Sequence, residues 1–438
     1  MSKILLDSPA IPQQSLESDY KKTVLSNGIR VVTESIPYVR SIAIGVWIDV
    51  GSRDEDENTN GISHFLEHMV FKGTNRYSSQ QIARSLEGVG GYLNAFTTKE
   101  HTCYYARILD DYLPQAVDVI SDLAQYPVFA QKEIQKEKGV ILEELKNIED
   151  DPEDLIHDYF DRGVFTKHPL GRPIIGKAEN IKNFSRADLV KHTQRHYVPG
   201  RMVVSAAGHL SHEKLVNLVE QYFGANDSRR KQAAKEATAP KQMQAKREVI
   251  EKPIVQAHVC LGRLSFGVKS KQRYPLLVLN TLLGDGMSSR LFQNIREKYG
   301  FAYSVYSFAN FLSDTGSFGV YVGTDRENID NSIELIHKEL AKLKSKLVGG
   351  AELKRTKAQL KGSMMLSLES MSNRMMRLGG GEMYFGRYMP LDDILKSIDK
   401  VEAEDVADVA NKLFHAEKFS TVIIKPSQKD AVGEREAA

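Results

Sequence analysis

The sequence predicts an α+β protein made of two homologous halves, each a sandwich of an antiparallel-rich mixed sheet covered by helices. The chain has 438 residues, and a single hydrophobic core rarely extends beyond about 250–300 residues. The predicted strands and helices of residues 1–225 return in the same order in residues 248–438, after a polar stretch at 226–247. This repetition indicates an internal duplication.

The first half alternates strand-like apolar runs with amphipathic helical patterns. Ser78 has the character of a helix N-cap, and Gly90-Gly91 ends the helix that follows it. The predicted strands are 29–34, 41–50, the pair 92–109, which turns near Lys99 and Glu100, and a last strand from Arg201. The predicted helices are one around His64, then 79–89, 111–126, 131–148, one from Pro152 and one after Ser185.

The stretch 226–247 is rich in Lys, Gln and Ala, which is typical of a solvated linker. The predicted strands after it are 254–264, the pair 301–324 and 419–424, and the predicted helices are 274–283, 289–299, 328–347, 352–369 and one from about Glu402. In place of the histidine helix, the second half has Tyr274-Pro-Leu-Leu-Val-Leu-Asn-Thr-Leu-Leu, with no metal ligand. Only the first half is therefore predicted to bind a metal.

Composition excludes several classes of protein. Lys plus Arg (59) nearly balances Asp plus Glu (57), so neither a nucleic-acid surface nor a basic membrane surface is expected. The first twenty residues lack the pattern of a signal peptide, and the longest apolar run, 41–50, is too short to span a bilayer. These features predict a cytoplasmic protein, or a mature form already processed. Cys103 and Cys260 lie in strand-like runs, which favours small buried side chains over a disulfide.

The pentapeptide His64-Phe-Leu-Glu-His68 is the strongest functional signal in the chain. Two imidazoles four residues apart lie on one side of a helix, the spacing needed to bind one metal ion. Glu67 lies one turn from His64, so its carboxylate can reach a water on the same ion. H-x-x-E-H is the mirror-order zincin motif, in which the glutamate is the general base of a metallopeptidase.

A catalytic zinc site usually has three protein ligands and leaves one position open. The candidate third ligand lies on the predicted helix 131–148, where one face is formed by Ile134, Glu137, Ile141, Glu144 and Ile148. Two carboxylates within an apolar stripe are unexpected unless a cation offsets the cost of their burial. A solvated charged face fits the other side of this helix, but not Glu137 and Glu144.

These residues resemble the pitrilysin-type (inverzincin) metallopeptidases, a family that includes mitochondrial processing peptidase and insulin-degrading enzyme. That family has a glutamate 76 residues after the second histidine, which is the position of Glu144, and a further carboxylate at the position of Glu137. The resemblance covers nearly the whole chain and is greatest to the processing-peptidase β subunit and its bacterial relatives. It implies one zinc ion bound by His64, His68 and Glu144. Glu67 is then the base and Glu137 orients a ligand.

The resemblance also implies residues that hold the substrate. Asn94 and Ala95 match the family's strand that binds a peptide by β-addition. Thr97 and His101 follow on the same segment as further candidates, and the alternative for His101 is a simply exposed residue of the hairpin.

Arg296 and Tyr303 match a family pair that donates hydrogen bonds to the substrate and to the tetrahedral intermediate. The alternative is an arginine in a surface ion pair and a tyrosine in the core. If the chain pairs as the family does, these two residues reach the zinc site of a partner, in a homodimer or in a heterodimer with a related chain.

Asp154 and Asp158 lie four residues apart on a predicted helix, in a region where processing peptidases bind an arginine near the cut. A solvated acidic patch at a helix end explains them equally well.

Two other groups favour a structural role. His192 and His196 are four apart but have no third ligand. Gly379-Gly-Gly381 lacks the context of a phosphate-binding loop and is expected to form a hinge or a tight helix junction.

The sequence thus predicts a zinc endopeptidase that hydrolyses unfolded or presequence-like peptides in a closed chamber. The main alternative is a structural member of the same family that has lost catalysis, comparable to the core subunits of the respiratory cytochrome bc complex. A third possibility is a metal-binding chaperone or peptide scavenger. The intact set of His64, Glu67, His68 and Glu144 favours the enzyme.

Overall fold

The computed structural model describes residues 19–224, 238–241 and 245–427. Most of the predicted linker, 226–247, therefore lies outside the described residues. Its last residue, Arg247, already belongs to a strand of the second half.

Six strands of the first half form one mixed sheet. Their order is β1-β2-β6-β3-β5-β4, and the β2–β6 pair is the only parallel one in it. The strands are β1 (Asp19–Val24), β2 (Arg30–Ser35), β3 (Ser41–Ile48), β4 (Tyr92–Thr97), β5 (Thr102–Leu109) and β6 (Met202–Gly208). β1 was missed because its charged, largely exposed residues give no core pattern.

Eight helices belong to this half among the described residues. They are α1 (Ile62–Val70), α2 (Ser79–Glu87), α3 (Leu113–Gln125), α4 (Gln131–Asp150), α5 (Pro152–Val164), α6 (Ala178–Asn183), α7 (Arg186–His196) and α8 (His212–Phe223). Residues of β2–β6 pack with α1, α2, α3, α7 and α8 in one buried core. The predicted N-cap is confirmed, because the Ser78 side chain accepts a hydrogen bond from the Gln81 amide.

The second half repeats five of the six strands of the first sheet, all except β1. Its strands are β7 (Arg247–Lys252), β8 (Ala257–Ser265), β9 (Ala302–Phe311), β10 (Gly316–Thr324) and β11 (Ser420–Pro426), in the order β7-β11-β8-β10-β9. This is the order β2-β6-β3-β5-β4, again with its parallel pair in the first position. The predicted α+β fold with an internal duplication is confirmed.

The helices of the second half are α9 (Arg273–Gly284), α10 (Ile329–Ser345), α11 (Gly350–Ser367), α12 (Met371–Phe385), α13 (Leu391–Asp399) and α14 (Ala403–Leu413). The predicted helix at 289–299 contains a wider π-helical turn, Phe292–Glu297, and Gly300 follows with a positive φ of 67°. α9 occupies the place of α1 in the repeat, and its inward residues are apolar.

The two halves exchange one helix each. α5, from the first half, packs on β8 and β11 of the second sheet, where Ile156 and Phe160 join Cys260 and Tyr321 in one cluster. α12, from the second half, packs on β2, β3 and β6 of the first sheet. Each sheet therefore has its own helices on one face and a helix of the other half on the opposite face.

The three glycines at 379–381 lie inside α12, so the predicted hinge or helix junction is wrong. A Cβ atom on Gly379 would lie 2.1 Å from Nε1 of Trp47, whereas one on Gly380 would have no neighbour within 4 Å. Trp47 is buried, and its Nε1 donates a hydrogen bond of 2.8 Å to Ser205 Oγ. Gly379 is therefore required by the close approach of α12 to the first sheet.

A buried ion cluster joins equivalent hairpins of the two sheets. Glu100 lies in the β4–β5 hairpin, and Ser313 and Asp314 lie in the β9–β10 hairpin. Arg53 donates to Glu100 Oε1 at 2.7 Å and to Asp314 Oδ2 at 2.6 Å. The Ser313 hydroxyl donates to Glu100 at 2.6 Å. Because Arg53 and Glu100 are almost fully buried, loss of one partner would leave an uncompensated charge between the halves.

Several smaller expectations are also settled by the structure. Cys103 and Cys260 are free and buried, as predicted. His192 and His196 are both buried, and Arg201 donates to Nδ1 of His196 at 2.8 Å, which agrees with a structural role. Within the described residues, no helix is long and apolar enough to cross a membrane.

We predict that Gly379→Ala and Gly380→Ala have opposite effects on stability. The Gly379 variant forces the indole of Trp47 or helix α12 to move, and overpacking of this kind costs about 1–3 kcal/mol. The Gly380 variant gains helix propensity, up to about 1 kcal/mol, without a clash. Denaturant unfolding followed by circular dichroism measures both. Equal midpoints for the two variants would contradict the packing described here.

Candidate metal centre

The helix that carries the histidine motif is fixed at its N-terminus by a buried carboxylate. Glu55 Oε1 accepts a hydrogen bond from the Ser63 amide, and Oε2 accepts one from the Gly61 amide, each at 2.8 Å. These amides have no partner within the helix, and a negative charge is favourable at this end of a helix. Burial raises the pKa of Glu55, although the two amides oppose the shift. The role of Glu55, which lies in an acidic run just before the motif, was not predicted from the sequence.

Gly61 permits the sharp entry into α1. Its φ is +99°, a conformation that residues with a Cβ rarely adopt. A Cβ there would lie 2.6 Å from the carbonyl oxygen of Ile175. Glu55 and Gly61 together set the position from which the histidine side chains project.

Helix α4 crosses α1 and brings Glu144 to the two histidines. Nε2 of His64 lies 3.6 Å from Glu144 Oε1, and Nε2 of His68 lies 3.4 Å from Oε2. Within the described part of the chain, these three residues form the single group of His, Cys, Asp and Glu side chains that could hold a metal ion. The structure therefore brings together the three predicted ligands. Glu144 is 40% exposed rather than embedded in the apolar stripe.

The spacing of the donor atoms fits zinc. Two ligand atoms at about 2.0–2.1 Å from a tetrahedral zinc ion lie roughly 3.3–3.5 Å apart. The two separations between histidine nitrogens and Glu144 oxygens, 3.6 and 3.4 Å, are close to this value. Two imidazoles and one carboxylate also form a common ligand set of catalytic zinc sites.

The protonation of His64 and Glu144 suits a cation, whereas the raised pKa of His68 means that a metal ion must displace a proton there. Burial, and then the neighbouring His68, lower the pKa of His64 to about 4, so its imidazole is neutral at pH 7. Burial opposes protonation of His68 as well, but the carboxylates of Glu144 and Glu137 raise its pKa overall. The hydrogen bond from His68 lowers the pKa of Glu144. Neutral imidazole and ionised carboxylate are the forms that bind a metal.

Glu137 lies behind His68, on the side away from Glu144. It is 2% exposed, and its Oε2 lies 3.3 Å from His68 Nδ1. Its other oxygen, Oε1, forms an ion pair with Lys72 Nζ at 2.8 Å. This role of Lys72 was not predicted from the sequence. A carboxylate bound to the far nitrogen of an imidazole fixes the tautomer and the orientation of the ring. This geometry agrees with the predicted orienting role.

The candidate base, Glu67, is held by the edge strand of the first sheet. Thr97, at the end of β4, donates from Oγ1 to Glu67 Oε2 at 2.6 Å. Burial raises the pKa of Glu67 more than this hydrogen bond lowers it. Thr97, predicted as a substrate residue, thus contacts the candidate base directly.

β4 has one unpaired edge. It pairs with β5 alone among the described strands. The Ala95 amide donates a hydrogen bond of 2.8 Å to Oδ1 of Asn94, so that a side chain occupies this amide. His101 is 7% exposed and packs against Tyr384, which excludes the alternative of a simply exposed hairpin residue.

The remaining predicted residues lie apart from this group. Asp154 is exposed in the first turn of α5, where its amide donates to Asp151, and Asp158 is half-buried, which raises its pKa. Arg296 is exposed and stacks on Phe292, and the Tyr303 hydroxyl donates to Asp325 at 3.3 Å. These described contacts are local and reach none of the candidate metal ligands.

Comparison with known proteins agrees with the site. The sequence profile of insulinase (peptidase family M16) matches residues 30–178, and that of the peptidase M16 inactive domain matches residues 183–360. A Bacillus subtilis protein called an uncharacterized zinc protease is 41% identical over 93% of this chain and 98% of that protein. A Streptomyces coelicolor protein of the same description is 39% identical over 94% of this chain and 91% of that protein.

Solved structures show the same architecture. A crystal structure described as a protease from Helicobacter pylori gives a TM-score of 0.88 at 25% identity, covering 93% of this chain and all of that one. A peptidase M16 inactive domain from Pseudomonas fluorescens gives 0.87 at 21% identity, covering 93% and 98% of the two chains, and supports the fold alone.

The fold, the donor set and the relatives together define a two-half protein of the metalloprotease class. The chain belongs to peptidase family M16, the pitrilysin-type metallopeptidases, as its motifs predicted. The names of its relatives support a zinc protease at the family level. The profile of the inactive domain covers α9, where the second half has no ligand set.

We predict different losses of zinc affinity on substitution of three glutamates of α4. Glu137→Gln should weaken binding by about 10–100-fold, as expected for a group that orients a ligand, and Glu144→Ala should weaken it more. Glu143→Gln is the control, because Glu143 is exposed and pairs with Lys146. Competition titration against a chromophoric chelator measures all three. Unchanged affinity in Glu144→Ala would exclude the proposed ligand set.

Proposed function

We propose that this protein is a zinc endopeptidase that hydrolyses extended peptides, unfolded or presequence-like, in a closed chamber with Glu67 as general base. The observation that carries this proposal is the hydrogen bond between Thr97 and Glu67. It joins the unpaired edge of β4 to the helix that holds His64 and His68. The base, the candidate ligands and a surface suited to an extended peptide therefore meet at one place.

The chemistry follows from these positions. One zinc ion per chain, held by His64, His68 and Glu144, supplies the Lewis acidity that polarises a peptide carbonyl and acidifies water. Glu67 accepts the proton of the attacking water and later delivers it to the leaving amine. A pKa raised by burial suits both steps, because the carboxyl group must gain and lose a proton in each cycle. Thr97 keeps the carboxylate directed toward the reacting atoms.

β4 supports binding of the substrate by strand addition. An extended peptide can pair with an unpaired edge through main-chain hydrogen bonds, while pockets select its side chains. Asn94 covers the Ala95 amide, as polar side chains often protect free edges. A bound peptide would displace the Asn94 side chain and take its place at this amide.

A preference for a basic residue near the cut is part of the proposal. Asp154 and Asp158 lie one turn apart on α5, so a single cationic side chain can approach both. Asp154 is exposed, and Asp158 has a raised pKa because of burial and would gain from a nearby positive charge.

The proposal also includes a second subunit. Arg296 and Tyr303 are largely exposed, and their contacts among the described residues, with Phe292 and Asp325, lie in their own half. Side chains that stabilise a tetrahedral intermediate must lie close to the reacting carbonyl. We therefore propose that they act on the metal centre of a partner, in a homodimer or in a heterodimer with a related chain.

We predict that Glu67→Gln retains zinc and loses hydrolysis. The amide cannot accept the proton of water, so the rate should fall at least about 100-fold. Glu143→Gln serves as control for the change of charge. Zinc content by mass spectrometry and cleavage of a quenched peptide library, with mapping of the products, are the measurements. Undiminished cleavage in Glu67→Gln would refute the mechanism, and absence of cleavage by the zinc-loaded wild type would favour a non-catalytic member of the family.

A mixing experiment tests whether two subunits share a site. Glu67→Gln and Arg296→Ala are both expected to be inactive alone. In a mixed dimer, one site would combine an intact Glu67 with an intact Arg296 only if Arg296 acts in trans. Random exchange of subunits should then restore about a quarter of the wild-type activity in a symmetric dimer. No restoration, with subunit exchange verified by native mass spectrometry, would show that Arg296 does not act across a homodimer.

A further inference from the structure

A cavity of about 750 Å³ lies between the two halves, next to the end of β4. Its walls come from the β4–β5 hairpin, the far end of β9 and the C-terminal part of α12 with the segment after it. Aromatic and aliphatic side chains predominate in the wall, among them Trp47, Phe96, Phe311, Leu378 and Phe385. Its volume is in the usual range for a small-ligand site, about 300–1,000 Å³.

Three charged groups of the wall already have partners of opposite sign. Lys99 pairs with Asp161 at 3.1 Å. Glu382 pairs with Lys22 at 2.8 Å and with Arg30 at 3.4 Å. The negative charges of Asp161 and Glu382 are therefore already balanced by neighbouring cations.

Three guanidinium groups in the same wall have no carboxylate partner among the described residues. Arg387 is exposed to solvent, whereas Arg273 and Arg377 are partly buried. Arg273 stacks over the rings of Tyr274 and Phe385, each at 5.5 Å, and burial lowers its pKa. Arg377 stacks over Tyr388 at 5.2 Å and donates to the Met389 carbonyl oxygen at 2.7 Å. In both arginines, Nε is buried and has no hydrogen-bond partner. An arginine stays charged in proteins, so this arrangement is costly unless an anion enters the cavity.

We propose that this cavity binds the carboxyl end of an apolar peptide, with Arg273 and Arg377 recognising the terminal carboxylate. Guanidinium groups bind carboxylates through paired, charge-assisted hydrogen bonds. The apolar wall accommodates the side chains. Asn310 and Ser317, which hydrogen-bond to each other at 3.3 Å, also line the cavity and offer hydrogen-bonding groups to peptide amides, which a fatty acid would leave unused. The site is distinct from the candidate metal centre, because neither Glu67 nor any candidate metal ligand belongs to its wall, although Thr97 borders both.

Trp47 makes binding directly measurable, because it is the single tryptophan of the chain and lies in the cavity wall. The titration uses full-length, zinc-loaded Glu67→Gln protein, so that no probe is cleaved. The probes are acetyl-Ala-Leu-Phe with a free carboxylate, the same peptide as its amide, and decanoate. The free acid should change the fluorescence of Trp47 saturably, and the amide should bind at least about 10-fold more weakly.

Substitutions test the two arginines. Arg273→Gln and Arg377→Gln should each weaken binding of the free acid to about the level of the amide, while binding of the amide stays the same. Arg355→Gln is the matched control, because Arg355 is exposed on α11 outside the cavity. Circular dichroism identifies any variant that does not fold, and in that case the comparison of acid and amide on the parent protein still decides.

Three outcomes would overturn the proposal. The first is equal affinity for acid and amide, or no binding of either, which removes the role of the carboxylate. The second is binding of decanoate as tight as that of the peptide acid, which assigns the cavity to fatty acids. The third is loss of binding when zinc is removed with a chelator, which assigns the carboxylate to the metal. Binding that is retained without zinc supports the assignment of the peptide carboxylate to the cavity.

Discussion

The exchange of α5 and α12 between the halves is the constraint on which the rest of the structure depends. A sheet has two faces, and both must be covered if both are apolar. In β3 seven of eight residues are buried, and in β10 all nine are, so each sheet is covered on both sides. Since each sheet takes one cover from the other half, neither half completes its core alone. The halves cannot separate without exposing both clusters, and their relative position fixes the β4 edge and the cavity beside it.

The candidate metal centre uses this rigidity through three elements of the first half. Helix α1 carries two candidate ligands and the candidate base, α4 carries the third candidate ligand, and β4 holds the candidate base through Thr97. Glu55 fixes the start of α1 by binding its free amides. Lys72 and Glu137 fix the ring of His68 from behind. Glu67 and His68 are therefore each positioned by a further side chain, an arrangement that holds the geometry of a site within narrow limits.

Local patterns in the sequence predicted most of this arrangement. The spacing within His64–His68 and the shared helical face of Glu137 and Glu144 are properties of single helices, and the structure reproduces both. The exchanged helix α12 was missed because three successive glycines resemble a helix break, and only contact with Trp47 explains the first of them. Glu55 was missed for a similar reason, since its role depends on a loop that returns to the helix. The continuous apolar run of β3 was a usable signal, because strands buried on both faces have this composition.

The duplication preserved the geometry of the first half while its chemistry changed. β9 is the edge strand of the second sheet as β4 is of the first, and α9 lies where α1 would be. In α9 the inward positions are apolar, among them Leu276, Leu279 and Leu283, so no ligands remain there. Tyr303 instead lies at the start of β9, 55% exposed, with Arg296 exposed in the turn before it. In the dimer proposed above, the edge of one chain that carries the candidate metal centre would face the Arg–Tyr edge of the other, and symmetry would repeat this contact. Two equivalent edges with different side chains would then form two shared sites.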